Sequence, residues 1–121
     1  MKYDITDSEW YIMELLWEND GMLIGEIRNG LSKRNWSYST IKTLVGRLEQ
    51  KEIIRAEKTD KGKKYFPSIS RDVCTKGETK HFLSRVYNGS VKMMVANLVK
   101  DSNLTDKDIQ KVIDIINKIE E

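Results

Sequence analysis

The chain of 121 residues contains one cysteine, Cys74, one histidine, His81, and one proline, Pro67. A lone thiol excludes an internal disulfide framework, and one thiol with one imidazole cannot supply the ligand set of a structural zinc site. Cys74 and His81 stand seven positions apart, near two helical turns, so they could share a face. Cys–His catalysis also needs an orienting group and an oxyanion hole, and nothing in the sequence supplies them, so both are read as structural or surface residues. No enzyme activity, cofactor or metal is expected. No segment approaches the roughly 18 apolar residues of a membrane span, and Met1-Lys2-Tyr3-Asp4 lacks the apolar core of a signal peptide. The expected location is the cytoplasm, with no membrane insertion.

Net charge is only +2, from 21 Lys and Arg against 19 Asp and Glu. Its distribution is uneven. Residues 1–27 carry one base and seven acids, residues 28–64 eleven bases and four acids, and residues 65–121 nine and eight. The central net of +7 over 37 residues, inside a nearly neutral chain, points to a polyanion-facing surface; the alternative is an ordinary solvated face.

Apolar spacing predicts a helix over about 6–18, built on Trp10, Met13, Leu16 and Trp17, with Thr6-Asp7-Ser8-Glu9 as its capping box. Asn19-Asp20-Gly21 ends it, and Met22-Leu23 is a brief extended link. A short helix over about 24–33 turns Ile24, Ile27 and Leu31 inward but lacks a side-chain acceptor at Leu23. Ser37 then caps a third helix over about 38–51, with Ile41, Leu44, Val45 and Leu48 on one face. Residues 53–59 read as a strand, Asp60-Lys61-Gly62-Lys63 as a tight turn and 64–67 as the returning strand. Three more helices are expected over about 70–87, 90–100 and 105–119, the first with a possible kink at Gly77.

Helix, short helix, periodic helix and basic hairpin, within about 67 residues, make a winged helix-turn-helix arrangement. The expected fold class is mainly α with a small β-hairpin wing: a winged helix-turn-helix domain over 1–69, followed by a helical dimerisation domain over 70–121. A major groove about 12 Å wide admits one α-helix, whose N-terminal residues reach base edges while flanking cations neutralise phosphates. Ser37, Tyr38, Ser39, Thr40, Lys42 and Thr43 stand where base contacts would be made, and Arg47, Lys61, Lys63 and Lys64 where the backbone would be gripped. The alternative is a core helix with a wet outer face. Trp10, Trp17 and Trp36 are read as core anchors rather than base-stacking platforms.

The stretches Ile5-Thr6-Asp7-Ser8-Glu9-Trp10, Glu14-Leu15-Leu16-Trp17 and Trp36-Ser37-Tyr38-Ser39-Thr40-Ile41-Lys42-Thr43-Leu44, with Arg47-Leu48, Tyr65 and Pro67, resemble the penicillinase-repressor family (BlaI/MecI), which includes the CopY branch. Residues 82–90, Phe82 to Ser90, resemble its signature between two domains. The resemblance implies a transcriptional repressor acting as a homodimer on palindromic TACA/TGTA operators in double-stranded DNA, of β-lactam resistance genes or other targets. The other reading is a winged-helix protein-interaction module without DNA binding. The family usually has proline at the position of Tyr38 and a larger residue at Gly46, so operator preference is expected to differ here. No Cys-x-Cys pair ends the chain, which argues against copper sensing.

In β-lactam-responsive members, the resemblance implies a membrane-bound sensor protease whose action leads to cleavage after an asparagine in the second-last helix. The matching bond is Asn97–Leu98, with leucine where the family has phenylalanine. The other reading of Leu98 is core packing, since it continues the stripe of Val91, Met94 and Val95. That stripe, with Ile109, Val112, Ile113 and Ile116 of the last helix, is wider than one short helix covers, so the expected dimer interface comprises these residues and Leu98. Alternatively these helices fold back on their own winged domain.

Overall fold

Thr6 opens the first helix by satisfying two otherwise free amides. Its Oγ1 accepts from the Glu9 N–H at 3.2 Å, and Glu9 Oε1 accepts from the Thr6 N–H at 2.9 Å, the reciprocal capping box. In the computed structural model, which describes residues 4–101 and 103–120 without the side chains of Ile116, Ile119 and Glu120, this helix, α1, runs Asp7–Glu18. Gly21 follows at φ +82°, and a Cβ there would stand 2.5 Å from the Phe66 ring, so only glycine fits the turn.

Met22–Leu23 form a two-residue strand, β1, rather than a free link. The short helix α2, Ile24–Gly30, stops before the expected end, and Ser32–Arg34 make a 3-10 turn closed by left-handed Asn35. Leu23 indeed offers no acceptor; instead Glu26 Oε1 reaches back to accept from its N–H at 2.8 Å, half of a capping box. Helix α3, Tyr38–Gln50, begins at Ser37, whose Oγ accepts from the Thr40 N–H at 3.1 Å. It ends in a Schellman motif. The Ile53 N–H donates to Leu48 O and the Glu52 N–H to Glu49 O, with Glu52 left-handed at φ 63°.

The wing is β2, Ile54–Thr59, antiparallel to β3, Gly62–Pro67, and β1 pairs with the other side of β3 to give the order β1-β3-β2. Thr59 opposes Gly62, so the turn is the two residues Asp60-Lys61, and Gly62 and Lys63 belong to the strand. The Thr59 hydroxyl closes it, donating to Gly62 O at 2.7 Å. Between the three helices and this sheet lies a core of Ile12, Met13, Leu16, Ile27, Ile41, Val45, Leu48, Ile53 and Ile54, each side chain contributing about 1.5–3 kcal/mol by leaving water. Trp10, Trp17 and Trp36 are half-buried against it, and the Trp17 indole N–H donates to Ile69 O at 2.9 Å.

Helix α4, Arg71–Tyr87, runs unbroken through Gly77; α5 is Val91–Asp101 and α6 Asp106–Glu120. The chain divides into two compact units within α4, one up to Glu78 and one from Thr79. In the second unit no described residue is buried. Val91, Met94, Val95, Val99, Ile109 and Val112 are half-covered there, while Leu98 and Ile113 are exposed; the side chain of Ile116 lies outside the described residues.

Candidate nucleic-acid interface

The apolar face of α3 is spent on the core, with Ile41, Leu44, Val45 and Leu48 buried, so helical geometry sends the polar residues between them outward. Tyr38, Ser39, Thr40, Lys42, Thr43, Gly46 and Arg47 are all exposed. No acid stands in the first turn of α3, which leaves the partial positive charge of the helix start uncompensated. Three of the short polar side chains are partly committed locally. The Ser37 and Thr40 hydroxyls are 2.9 Å apart, and the Thr43 hydroxyl donates to Ser39 O at 2.9 Å. Their remaining lone pairs and the Thr43 methyl stay available to a partner.

Tyr38 and Lys42 line a cleft of about 650 Å³ together with Lys61 and Lys63 of the wing. Leu23, Ile24, Gly25, Glu26, Asn29, Gly62 and Tyr65 complete its lining. Side chains alternate along a strand, so Lys63 and Tyr65 share the cleft side of β3, and half-buried Lys64 belongs to its other face. Ser37, Ser39, Thr40, Thr43 and Arg47 lie on or beside α3 outside the cleft lining. Tyr65 is buried in this lining, and burial raises its phenol above its ordinary pKa, with the Glu49 carboxylate and the proximity of Tyr38 adding to the rise. Tyr65 is therefore a neutral hydrogen-bonding group there.

The sequence pattern did not single out Gly25, Glu26, Asn29 and Arg28. The signal was present, because an α2 that turns Ile24 and Ile27 inward leaves its remaining side chains to solvent. Arg28 lies over the Tyr38 ring, its guanidinium carbon 5.8 Å from the centroid. Arg34, in the turn between α2 and α3, lies 3.3 Å over the Tyr11 ring and 5.9 Å from Trp36. That stack ties the turn to α1.

The far end of α3 is held by an ion pair between buried Glu9 and partly exposed Lys51. Lys51 Nζ donates to Glu9 Oε1 at 2.8 Å, to Oε2 at 3.1 Å and to Asp4 O at 2.8 Å. Burial alone would raise the Glu9 pKa, but the Lys51 bond, the Thr6 amide and the Lys51 charge outweigh it and lower the pKa. The outward face of α3 is thus fixed at its start by Ser37 and at its end by Lys51.

Nearly all of the chain, residues 5–118, matches the family model of the penicillinase repressor. The chain is 33% identical over 117 residues to the penicillinase repressor of Staphylococcus aureus, covering 96% of this chain and 93% of that protein. It is 30% identical over 120 residues to the methicillin resistance regulatory protein MecI of Mammaliicoccus sciuri, covering 96% and 95%. Among solved structures, it is similar to the DNA-binding domain of the repressor BlaI, with TM-score 0.52 and 30% identity over 56% of this chain and 84% of that one. It is also similar to monomeric Bacillus licheniformis BlaI bound to the blaP half-operator, with TM-score 0.53 and 29% identity over 60% and 89%. With a winged helix-turn-helix unit followed by a helical unit and this match over nearly its whole length, the chain belongs to the penicillinase repressor family.

Proposed function

We propose that this protein is a DNA-binding transcriptional repressor that acts as a cytoplasmic homodimer on palindromic operators, and that it is not an enzyme. The observation that carries the reading is the outward face of α3: polar, free of acid at its start, and flanked by Lys61 and Lys63 across one cleft. Helix α3 enters the major groove with Ser37, Tyr38, Ser39, Thr40, Lys42 and Thr43 at base edges. Arg47, Lys61, Lys63 and Lys64 meet phosphates on either side. Two copies pair through Val91, Met94, Val95, Leu98, Ile109, Val112, Ile113 and Ile116, which sets two recognition helices about 34–36 Å apart or a multiple of it on dyad-symmetric DNA.

A gel-shift titration on a duplex carrying a TACA/TGTA dyad tests this. Four phosphate contacts per half-site predict a slope of log affinity against log salt of about −3.6 per half-site. Lys42→Ala with Thr43→Ala relaxes sequence preference, whereas Lys61→Ala with Lys63→Ala weakens binding to every sequence and flattens the slope. Salt-insensitive behaviour with no shift on any such dyad would instead support a protein-interaction module.

Release from the operator by cleavage of the Asn97–Leu98 bond belongs to the same proposal. Both residues are exposed on α5, and Asn97 Nδ2 donates to the Tyr87 hydroxyl at 3.0 Å. A helical peptide bond is cut only when its helix opens locally, so a membrane-bound sensor protease must act on the opened state. Mass spectrometry of the protein from induced cells, intact or cut after Asn97, decides it.

A further inference from the structure

Arg28 stands in the last turn of α2, exposed, with its guanidinium over the ring of Tyr38, the first residue of α3. The ion pairs found among the described residues are Lys51–Glu9, Arg55–Glu57, Arg71–Glu18 and Lys76–Asp72, and none involves Arg28. At 5.8 Å from the ring centroid the guanidinium is drawn to Tyr38 as a cation, a contact that uses none of its N–H donors. Its N–H donors lie in the plane of the group and remain free to form a forked bond with a phosphate.

We infer that Arg28 is a further DNA-contacting residue, presented by the Tyr38 ring so that its free edge bonds a backbone phosphate beside the recognition helix; the inference rests on the DNA-binding reading above. In a helix-turn-helix pair the first helix crosses the DNA backbone, and Arg28 is a cation in the last turn of that helix. Tyr38 lines the same cleft as Lys42, Lys61, Lys63 and one acid, Glu26, so Arg28 beside Tyr38 adds a cation to a surface whose net charge is already positive. Arg34 is the contrasting case. It lines a separate cleft with its aromatic partner Tyr11, where Glu14 and Glu18 balance the charges of Lys33 and Arg34, so that surface carries no net positive charge. The cation–π contact with Tyr38 also restricts the long Arg28 side chain before DNA arrives, which lowers the entropy lost on binding.

The experiment is a fluorescence-anisotropy titration of the full chain against a TACA/TGTA-dyad duplex and a scrambled duplex of equal composition, at several salt concentrations. Circular dichroism confirms that each variant is folded. Arg28→Ala is expected to weaken both duplexes roughly tenfold, the loss of a charged hydrogen bond, and to reduce the salt slope by about 0.9 per half-site. Arg28→Lys keeps the slope. In a Tyr38→Phe background, which retains the aromatic face, Arg28→Ala keeps its full effect; in a Tyr38→Ala background its effect falls below about threefold. An unchanged slope in Arg28→Ala, beside a reduced slope in Lys61→Ala with Lys63→Ala, overturns the Arg28 contact and leaves the repressor reading intact. A full tenfold effect in the Tyr38→Ala background overturns the positioning by Tyr38. Salt-independent behaviour of the wild-type protein removes the inference together with the reading beneath it.

Discussion

Replacing Lys51 by methionine separates the charge of this side chain from its bulk. Lys51 Nζ meets both carboxylate oxygens of Glu9, at 2.8 and 3.1 Å, and the Glu9 side chain is 1% exposed. Removing one partner of a buried pair costs about 3–5 kcal/mol because the other charge is left in a poor medium. Water reaches the Lys51 side chain, which is 33% exposed, and Glu9 keeps the Thr6 amide, so about 2–3 kcal/mol is expected here. Urea unfolding followed by tryptophan fluorescence reads this directly, since Trp10, Trp17 and Trp36 all lie before Glu78, in the winged unit. With an m-value of about 1 kcal/mol/M, the midpoint falls by about 2–3 M.

The pH dependence tests the cause. In the wild type the folded pKa of Glu9 is lowered, so its contribution to stability is full above the unfolded carboxylate value and is lost as pH falls through the folded one. In Lys51→Met both Lys51 contributions vanish, and burial, the largest influence on Glu9, now pushes its pKa upward. The variant is then penalised at neutral pH and relieved as Glu9 takes up a proton. The stability gap between the two proteins therefore narrows from pH 7 towards pH 3. A gap that stays constant, or is below about 0.5 kcal/mol at pH 7, refutes the buried-charge argument.

Gly21→Ala combines a left-handed φ of +82° with a methyl 2.5 Å from the Phe66 ring, and should lower stability by about 3 kcal/mol in the same urea assay. Glu52→Gly acts in the opposite sense, because a left-handed non-glycine residue closes α3; a gain of about 0.5–1 kcal/mol is expected, and a loss would show that the Glu52 side chain holds something else. Arg34→Ala frees the turn between α2 and α3 from Tyr11 and Trp36. It should weaken operator binding several-fold with the salt slope unchanged, and a slope reduced by about 0.9 would mean that Arg34 itself meets phosphate.

Helix periodicity made most of the winged unit legible, because the elements that shape it have one apolar face each. Ile41, Leu44, Val45 and Leu48 specify both that α3 is a helix and which side it hides; the outward side follows by subtraction. Capping chemistry was equally readable at Thr6 and Ser37, where the side chain and the amide it serves are three residues apart. What escaped was long in range or unusual in residue type. The pairing of Met22 and Leu23 with Tyr65 and Lys64 joins segments some forty residues apart, and no local pattern encodes it. The Schellman end of α3 carries glutamate where glycine is the usual signal. Lys51 reaching Glu9, and Arg28 reaching Tyr38, are contacts made by the ends of long side chains after the backbone is placed. The two-residue turn at Asp60-Lys61 is masked in the sequence because Gly62, the usual turn signal, sits inside the strand at φ 118°.

The helical unit from Thr79 onward poses a different energetic problem from the winged unit. None of its described residues is buried, yet α5 and α6 carry half-covered Val91, Met94, Val95, Val99, Ile109 and Val112 beside exposed Leu98 and Ile113. A segment of this size cannot offset the loss of chain entropy without burying more apolar surface. In the proposed dimer, mutual cover by a second copy would supply that surface and make folding of the unit depend on concentration. The proposed dimer therefore predicts that its unfolding transition, followed by far-ultraviolet circular dichroism, rises with protein concentration. The tryptophan-detected transition of the winged unit stays fixed, because no tryptophan lies beyond Glu78. Leu98→Asp with Ile113→Asp should lower the first transition, remove its concentration dependence and leave the second untouched. A helical-unit transition that is independent of concentration in the wild-type protein would mean that these stripes are covered within one chain.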